Sequence, residues 1–125
     1  MINHVSLGVS DIARAKAFYD AALNPLGYRC LSESADSLGY GAKSAALWLL
    51  KADRISAKDT RPGLHLCFDA GTRKSVDGFH RAALGAGGRD NGPPGLRADY
   101  GANYYAAFVV DPDGYRIEAY CGAPK

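Results

Sequence analysis

Residues 4–9 read His4-Val5-Ser6-Leu7-Gly8-Val9, and residues 65–70 read His65-Leu66-Cys67-Phe68-Asp69-Ala70. The second stretch lies 61 positions after the first. The same offset sets Phe18, Ala21, Ala22 and Leu23 against Phe79, Ala82, Ala83 and Leu84. Two matched segments at one offset mark an internal repeat, and each copy is one supersecondary unit of about 60 residues. The reading is a single domain over 1–125, with module one at about 1–60 and module two at about 61–125. The boundary falls near Asp59-Thr60-Arg61-Pro62-Gly63, a polar stretch ending in a turn signal.

Working outward from the repeat, Val5, Leu7 and Val9 alternate with His4, Ser6 and Gly8, the pattern of a strand buried on one face. Ser10 or Asp11 can cap a helix carrying Ile12, Ala15, Tyr19, Ala22 and Leu23, which Asn24-Pro25 stops. Strand-like runs follow at 28–32, 37–42 and 45–51. In the second module Leu64, Leu66 and Phe68 alternate with His65 and Cys67. Thr72 can cap a helix with Val76, Phe79, Ala83 and Leu84, and the glycines of 85–88 end it. Residues 91–103 read as a long loop rich in Gly and Pro. Two last strands, 104–110 and 115–121, are joined by Asp111-Pro112-Asp113-Gly114, where Pro presets φ and Gly permits a positive φ. Strand, helix and then two or three strands, twice over, predict an α+β fold with helices on one side of a mixed, curved sheet.

The chain has 125 residues, 47% hydrophobic and 22% charged, so one core can form without a disulfide or metal staple. A net charge of +2 and no Lys/Arg block argue against nucleic-acid or membrane-surface partners. The longest apolar run, 45–50, is far too short to span a bilayer. The start, Met1-Ile2-Asn3-His4, lacks a secretory pattern. Three cysteines (Cys30, Cys67, Cys121) with no close pair fit reduced thiols and exclude a cysteine-only zinc site. The expectation is a cytoplasmic protein.

Parity along the strands picks out three further residues. His4 points away from the apolar face of its strand, and His65 does the same in the matching strand. Glu118 shares a face with Arg116 and Tyr120, opposite Ile117 and Ala119. Repeat symmetry then predicts that two imidazoles and one carboxylate converge on the concave face. That set suits a divalent transition metal such as Mn, Fe, Ni, Co or Zn, with positions left open for substrate or water. Arg97, in the long loop, is a candidate for binding an anionic substrate group. Tyr104 and Tyr105 lie on opposite faces of one strand, so at most one faces the site. Cys67 shares the face of His65. No Ser-His-Asp order, phosphate-binding loop or dinucleotide fingerprint is present.

Four segments carry a family resemblance: residues 4–11, Ala17-Phe18-Tyr19, Gly63-Leu64-His65-Leu66 and Phe108 through Glu118. Over essentially its whole length the sequence resembles the vicinal oxygen chelate superfamily, which includes glyoxalase I, extradiol dioxygenases, fosfomycin-resistance thiol transferases and bleomycin-binding proteins. The resemblance implies a glyoxalase-like fold, two βαβββ modules forming a cupped mixed β-sheet with helices on the outer face, around a metal with His4, His65 and Glu118 at the ligand positions, and pairing into a homodimer. It also matches Ser6 to a hydroxyl position that contacts substrate in the fosfomycin enzymes. Trp48 stands where glyoxalase I carries a fourth, carboxylate or amide, ligand. Trp48 can neither ligate nor take a proton, which argues against a true lactoylglutathione lyase and makes it an aromatic wall of the cavity. The chain also ends at Lys125, short of the basic extension the fosfomycin enzymes use.

The functional expectation is a divalent-metal enzyme (Mn, Fe, Ni or Zn) acting on a small oxygen-bearing substrate by lyase, thiol-transferase or dioxygenase chemistry. Its metal ligands would be His4, His65 and Glu118, and its substrate contacts Ser6, Trp48, Arg97 and Tyr104. The alternative is a metal-free, drug-sequestering binding protein. A fold of this kind hosts several reactions and does not choose between them.

Overall fold

The structure is a computed structural model that describes residues 1–54 and 63–125. The expected module boundary near 59–63 lies mostly outside the described residues. The first module runs β1 (Val5–Val9), α1 (Ile12–Leu23), a short 3-10 turn (Asn24–Leu26), β2 (Arg29–Glu33), β3 (Ser37–Gly41) and β4 (Leu47–Lys51). The second runs β5 (His65–Asp69), α2 (Arg73–Gly85), β6 (Arg89–Leu96), β7 (Tyr105–Val110) and β8 (Arg116–Cys121).

Local chemistry starts and stops these elements. The Asp11 side chain accepts the backbone N–H of Arg14 and Thr72 accepts that of Ser75, so each helix has its N-cap. Pro25 opens the 3-10 turn after α1, and Gly27 leaves it at positive φ. In the β7–β8 hairpin, Gly114 takes a φ of 96° and donates its N–H to the Asp111 carbonyl, as the Asp-Pro-Asp-Gly reading requires.

Each module forms its own four-stranded mixed sheet, ordered β1-β4-β3-β2 and β5-β8-β7-β6. β1 runs parallel to β4 and β5 parallel to β8, and the other pairs are antiparallel. The repeat inferred from the sequence therefore extends to the topology. Val9, Phe18, Leu23 and Leu49 join Val76, Phe79, Val109 and Ile117 in one core shared by both modules. The helices pack against each other and back the sheet faces that carry these residues. The opposite faces stay open.

One element departs from expectation. The loop predicted over 91–103 is a strand for its first part, because β6 extends to Leu96 and pairs with β7. Its register shifts twice, around Gly92 and again before Gly95, so Pro93 and Pro94 fall in a gap where no ladder donor is needed. β6 is also an edge strand, where proline is tolerated. Only 97–104 remain as a turn, closed by the Arg97 N–H to the Tyr104 carbonyl.

Candidate metal centre on the open face of the second sheet

Glu118 lies on β8 with β5 on one side and β7 on the other. Its backbone partners are Cys67 on β5 and Phe108 on β7. Residues of the same parity project to the same face, so His65, Cys67, Glu118, Tyr120 and Phe108 stand together on the open side, with Tyr104 just ahead of β7.

The carboxylate of Glu118 is almost fully buried, and each of its oxygens meets a polar side chain. His65 Nε2 lies 2.9 Å from Oε1. The Tyr104 hydroxyl donates to Oε2 at 2.6 Å. The Cys67 thiol stands beside the same carboxylate. Burial and then the Glu118 charge push the Cys67 thiol up to about 12. Burial and the bond to Glu118 likewise raise the Tyr104 phenol. Both groups therefore stay protonated donors at neutral pH. The Tyr104 ring is fixed from two sides, by Tyr120 at 4.2 Å between centroids and by Tyr100 at 5.2 Å. Tyr105 points the other way and bonds Asp77 on α2, which settles the parity question in favour of Tyr104.

Arg97 completes the surroundings. Its guanidinium sits 5.3 Å from the centre of the Phe108 ring and donates to the carbonyls of Gly95 and Pro93. Phe108 in turn lies 6.0 Å from the His65 ring. A cation, a flat apolar wall and an imidazole thus line one stretch of the face. Phe108 was not singled out from the sequence, although its place directly across from Glu118 could have been read from the hairpin pairing.

The other candidates lie on the first sheet. His4 is exposed just before β1, with Nδ1 2.7 Å from Asn3 Oδ1. Ser6 pairs across the ladder with Trp48, and Trp48 with Gly39. Trp48 is half-buried on this open face and lies over Gly39, where an added Cβ would come within 2.7 Å of its ring. The sequence candidates therefore divide by module, with His4, Ser6 and Trp48 on one sheet and His65, Arg97, Tyr104 and Glu118 on the other. Among the described residues, no three His, Cys, Asp or Glu side chains are grouped so as to hold a metal. His65 and Glu118 are brought together within the chain, but His4 does not join them in such a group.

The donors that are present fit a transition metal in type. One imidazole nitrogen and one carboxylate oxygen stand 2.9 Å apart. A 440 Å³ cleft opens between Val5, Tyr28 and Leu47 of the first module and Leu66, Cys67 and Phe68 of the second. Asp69 lines it as well, so with Cys67 the cleft reaches both faces of β5.

The model of the Glyoxalase/Bleomycin resistance protein/Dioxygenase superfamily matches residues 1–119. The chain belongs to this superfamily. Among solved structures, a glyoxalase/bleomycin resistance protein from Albidiferax ferrireducens is similar at 29% identity and a TM-score of 0.81, over 95% of this chain and 96% of that one. A glyoxalase-related enzyme from Fulvimarina pelagi gives 16% identity and a TM-score of 0.75, over 97% and 87%. The fosfomycin resistance protein FosX from Mesorhizobium loti gives 14% identity and a TM-score of 0.71, over 99% and 93%. The last two likenesses are of fold alone. No curated protein matches the chain. The glyoxalase-like fold expected from the family resemblance is the fold of this chain. Among the described residues no helix is long and apolar enough to cross a membrane.

Proposed function

We propose that the protein is a homodimeric, divalent-metal-dependent superfamily enzyme acting on a small oxygen-bearing, anionic substrate. The observation that carries this reading is the His65–Glu118 pair, two metal-type donors at 2.9 Å on an open sheet face. The missing third donor has a natural source. β1 and β5 are both edge strands, and His4 and His65 stand at their starts. If the β1 edge of a second copy met the β5 edge of the first, its His4, Ser6 and Trp48 would face His65, Glu118, Tyr104 and Arg97. The two sets of residues separated within one chain would then form one cavity.

In that cavity His4, His65 and Glu118 would hold the ion, which supplies Lewis-acid stabilisation to a developing negative charge on a substrate oxygen. The residues of the chain do the rest. Arg97 would bind an anionic substrate group with the N–H donors that its two backbone carbonyls leave over. Phe108 and Trp48 provide apolar walls that position the substrate and exclude water. Trp48 supplies no base, which disfavours a proton-transfer route of the lactoylglutathione-lyase kind.

A second reading has its own support. Both oxygens of Glu118 already have partners in the folded chain, so the carboxylate is satisfied without a metal, as it would be in a metal-free drug-binding protein. One experiment separates the two. Chelator-stripped wild type and His65→Ala are titrated with Mn²⁺, Ni²⁺ and Zn²⁺ by calorimetry, with the oligomeric state followed by sedimentation. The metalloenzyme reading expects about one ion per chain, a dimer, and loss of binding in His65→Ala and in His4→Ala. A wild type that binds none of the three ions leaves the drug-binding reading in place.

A further inference from the structure

Resting on the metal reading above, we propose that Tyr104 is a positioning residue that leaves Glu118 a single oxygen, Oε1, with which to hold the ion. A carboxylate can ligate through one oxygen or through both, and the choice depends on what else its oxygens touch. In this chain the two oxygens are already distinguished. Oε2 accepts the Tyr104 hydroxyl at 2.6 Å, the short distance of a hydrogen bond to an ionised acceptor. Oε1 faces His65 Nε2.

Tyr104 cannot easily follow the carboxylate if it turns. Its ring is held between Tyr120 and Tyr100, with interplanar angles of 34° and 77°. It also arises from the turn before β7, the strand adjacent to Glu118's own, and the Arg97 N–H to Tyr104 carbonyl bond closes that turn. Ligation through both oxygens would require breaking the phenol bond to a carboxylate that is itself almost fully buried, where a lost donor is costly. The arrangement therefore selects small transition ions that accept one carboxylate oxygen. It works against larger ions such as Ca²⁺, which favour two.

The test compares wild type with Tyr104→Phe, which keeps the ring and its stacking and deletes only the hydroxyl. Each protein is titrated with Zn²⁺ and Ca²⁺ by calorimetry. Infrared difference spectra of Zn²⁺-loaded against stripped protein give the spacing of the antisymmetric and symmetric carboxylate bands. The expected wild-type spectrum has the wide spacing of one-oxygen ligation, with Zn²⁺ far ahead of Ca²⁺. In Tyr104→Phe the spacing narrows, Zn²⁺ affinity falls roughly 10- to 100-fold, and the preference over Ca²⁺ shrinks. Unchanged affinity and spacing in Tyr104→Phe would overturn the proposal and leave the metal reading standing. A narrow, two-oxygen spacing in wild type would overturn it without any variant, so a poorly folding Tyr104→Phe would not shield it. A wild type that binds no metal would sink both.

Discussion

The Tyr19 hydroxyl on α1 donates to Asp111 Oδ2, 92 positions further along, at 2.5 Å. Both residues are buried, and the bond joins the first module's helix to the second module's β7–β8 hairpin. The other oxygen of Asp111 accepts the backbone N–H groups of Asp113 and Tyr115, and the Tyr115 hydroxyl returns to the Gly8 carbonyl on β1. The hairpin turn is thus a joint between modules as well as a link between strands.

Tyr19→Phe should destabilise the protein by about 1–3 kcal/mol at neutral pH, because it leaves a buried carboxylate short of a donor. Burial raises the Asp111 pKa above the ordinary 3.8, while the Tyr19 bond lowers it. A raised folded-state value contributes stability that is fully present below the unfolded value and lost as pH rises through the folded one. Removing the hydroxyl raises that value further. The penalty of Tyr19→Phe should therefore shrink as pH falls toward 4. Urea denaturation of both proteins at pH 7 and pH 4 measures this, and an equal penalty at the two values would contradict it.

Cys67 should be unreactive despite its exposure. With its thiol pushed up to about 12 from 9.0, little thiolate exists at pH 8.5. Iodoacetamide should label Cys67 in folded protein at least tenfold more slowly than in urea, as read by peptide mass spectrometry. Glu118→Gln removes the charge that helps hold the proton and should speed the labelling. The raised value also means that this thiol contributes stability present below pH 9 and lost as pH rises from there through about 12.

Gly39→Ala should disturb Trp48, the one tryptophan of the chain. The new Cβ would lie 2.7 Å from the ring, so the indole must shift. A cost of about 1–3 kcal/mol is expected, together with a displaced tryptophan emission maximum. Unchanged emission would mean that the ring does not rest on Gly39 in solution.

Asp11→Ala removes the acceptor that caps α1 and should cost about 1 kcal/mol in the same denaturation assay. Thr72→Ala should cost about the same at α2.

Much of this architecture was legible in the sequence, because its signals are local. Alternation marked β1 and β5, caps and turn residues bounded the helices, and the offset of 61 positions exposed the repeat. β6 escaped because Pro93 and Pro94 resemble loop residues until the register shows them sitting in a bulged edge. Parity correctly placed His65, Cys67 and Glu118 on one face, and Tyr104 opposite Tyr105. It could not say how two sheets lie relative to each other. That depends on the shared packing of α1 against α2, and so the grouping of His4 with His65 was not something strand alternation could decide. The Arg97–Phe108 contact was hidden for a similar reason, since a turn residue's direction is set by the carbonyls it happens to meet.

The two prolines of β6 have one more consequence. They occupy the outer border of the second sheet, and proline offers no amide hydrogen to an incoming chain. A stray β-strand trying to extend the sheet past β6 would find the ladder broken where it needs to continue. The border that could otherwise seed open-ended, fibre-like growth is chemically blunted, while the opposite border along β5 keeps its full set of backbone groups.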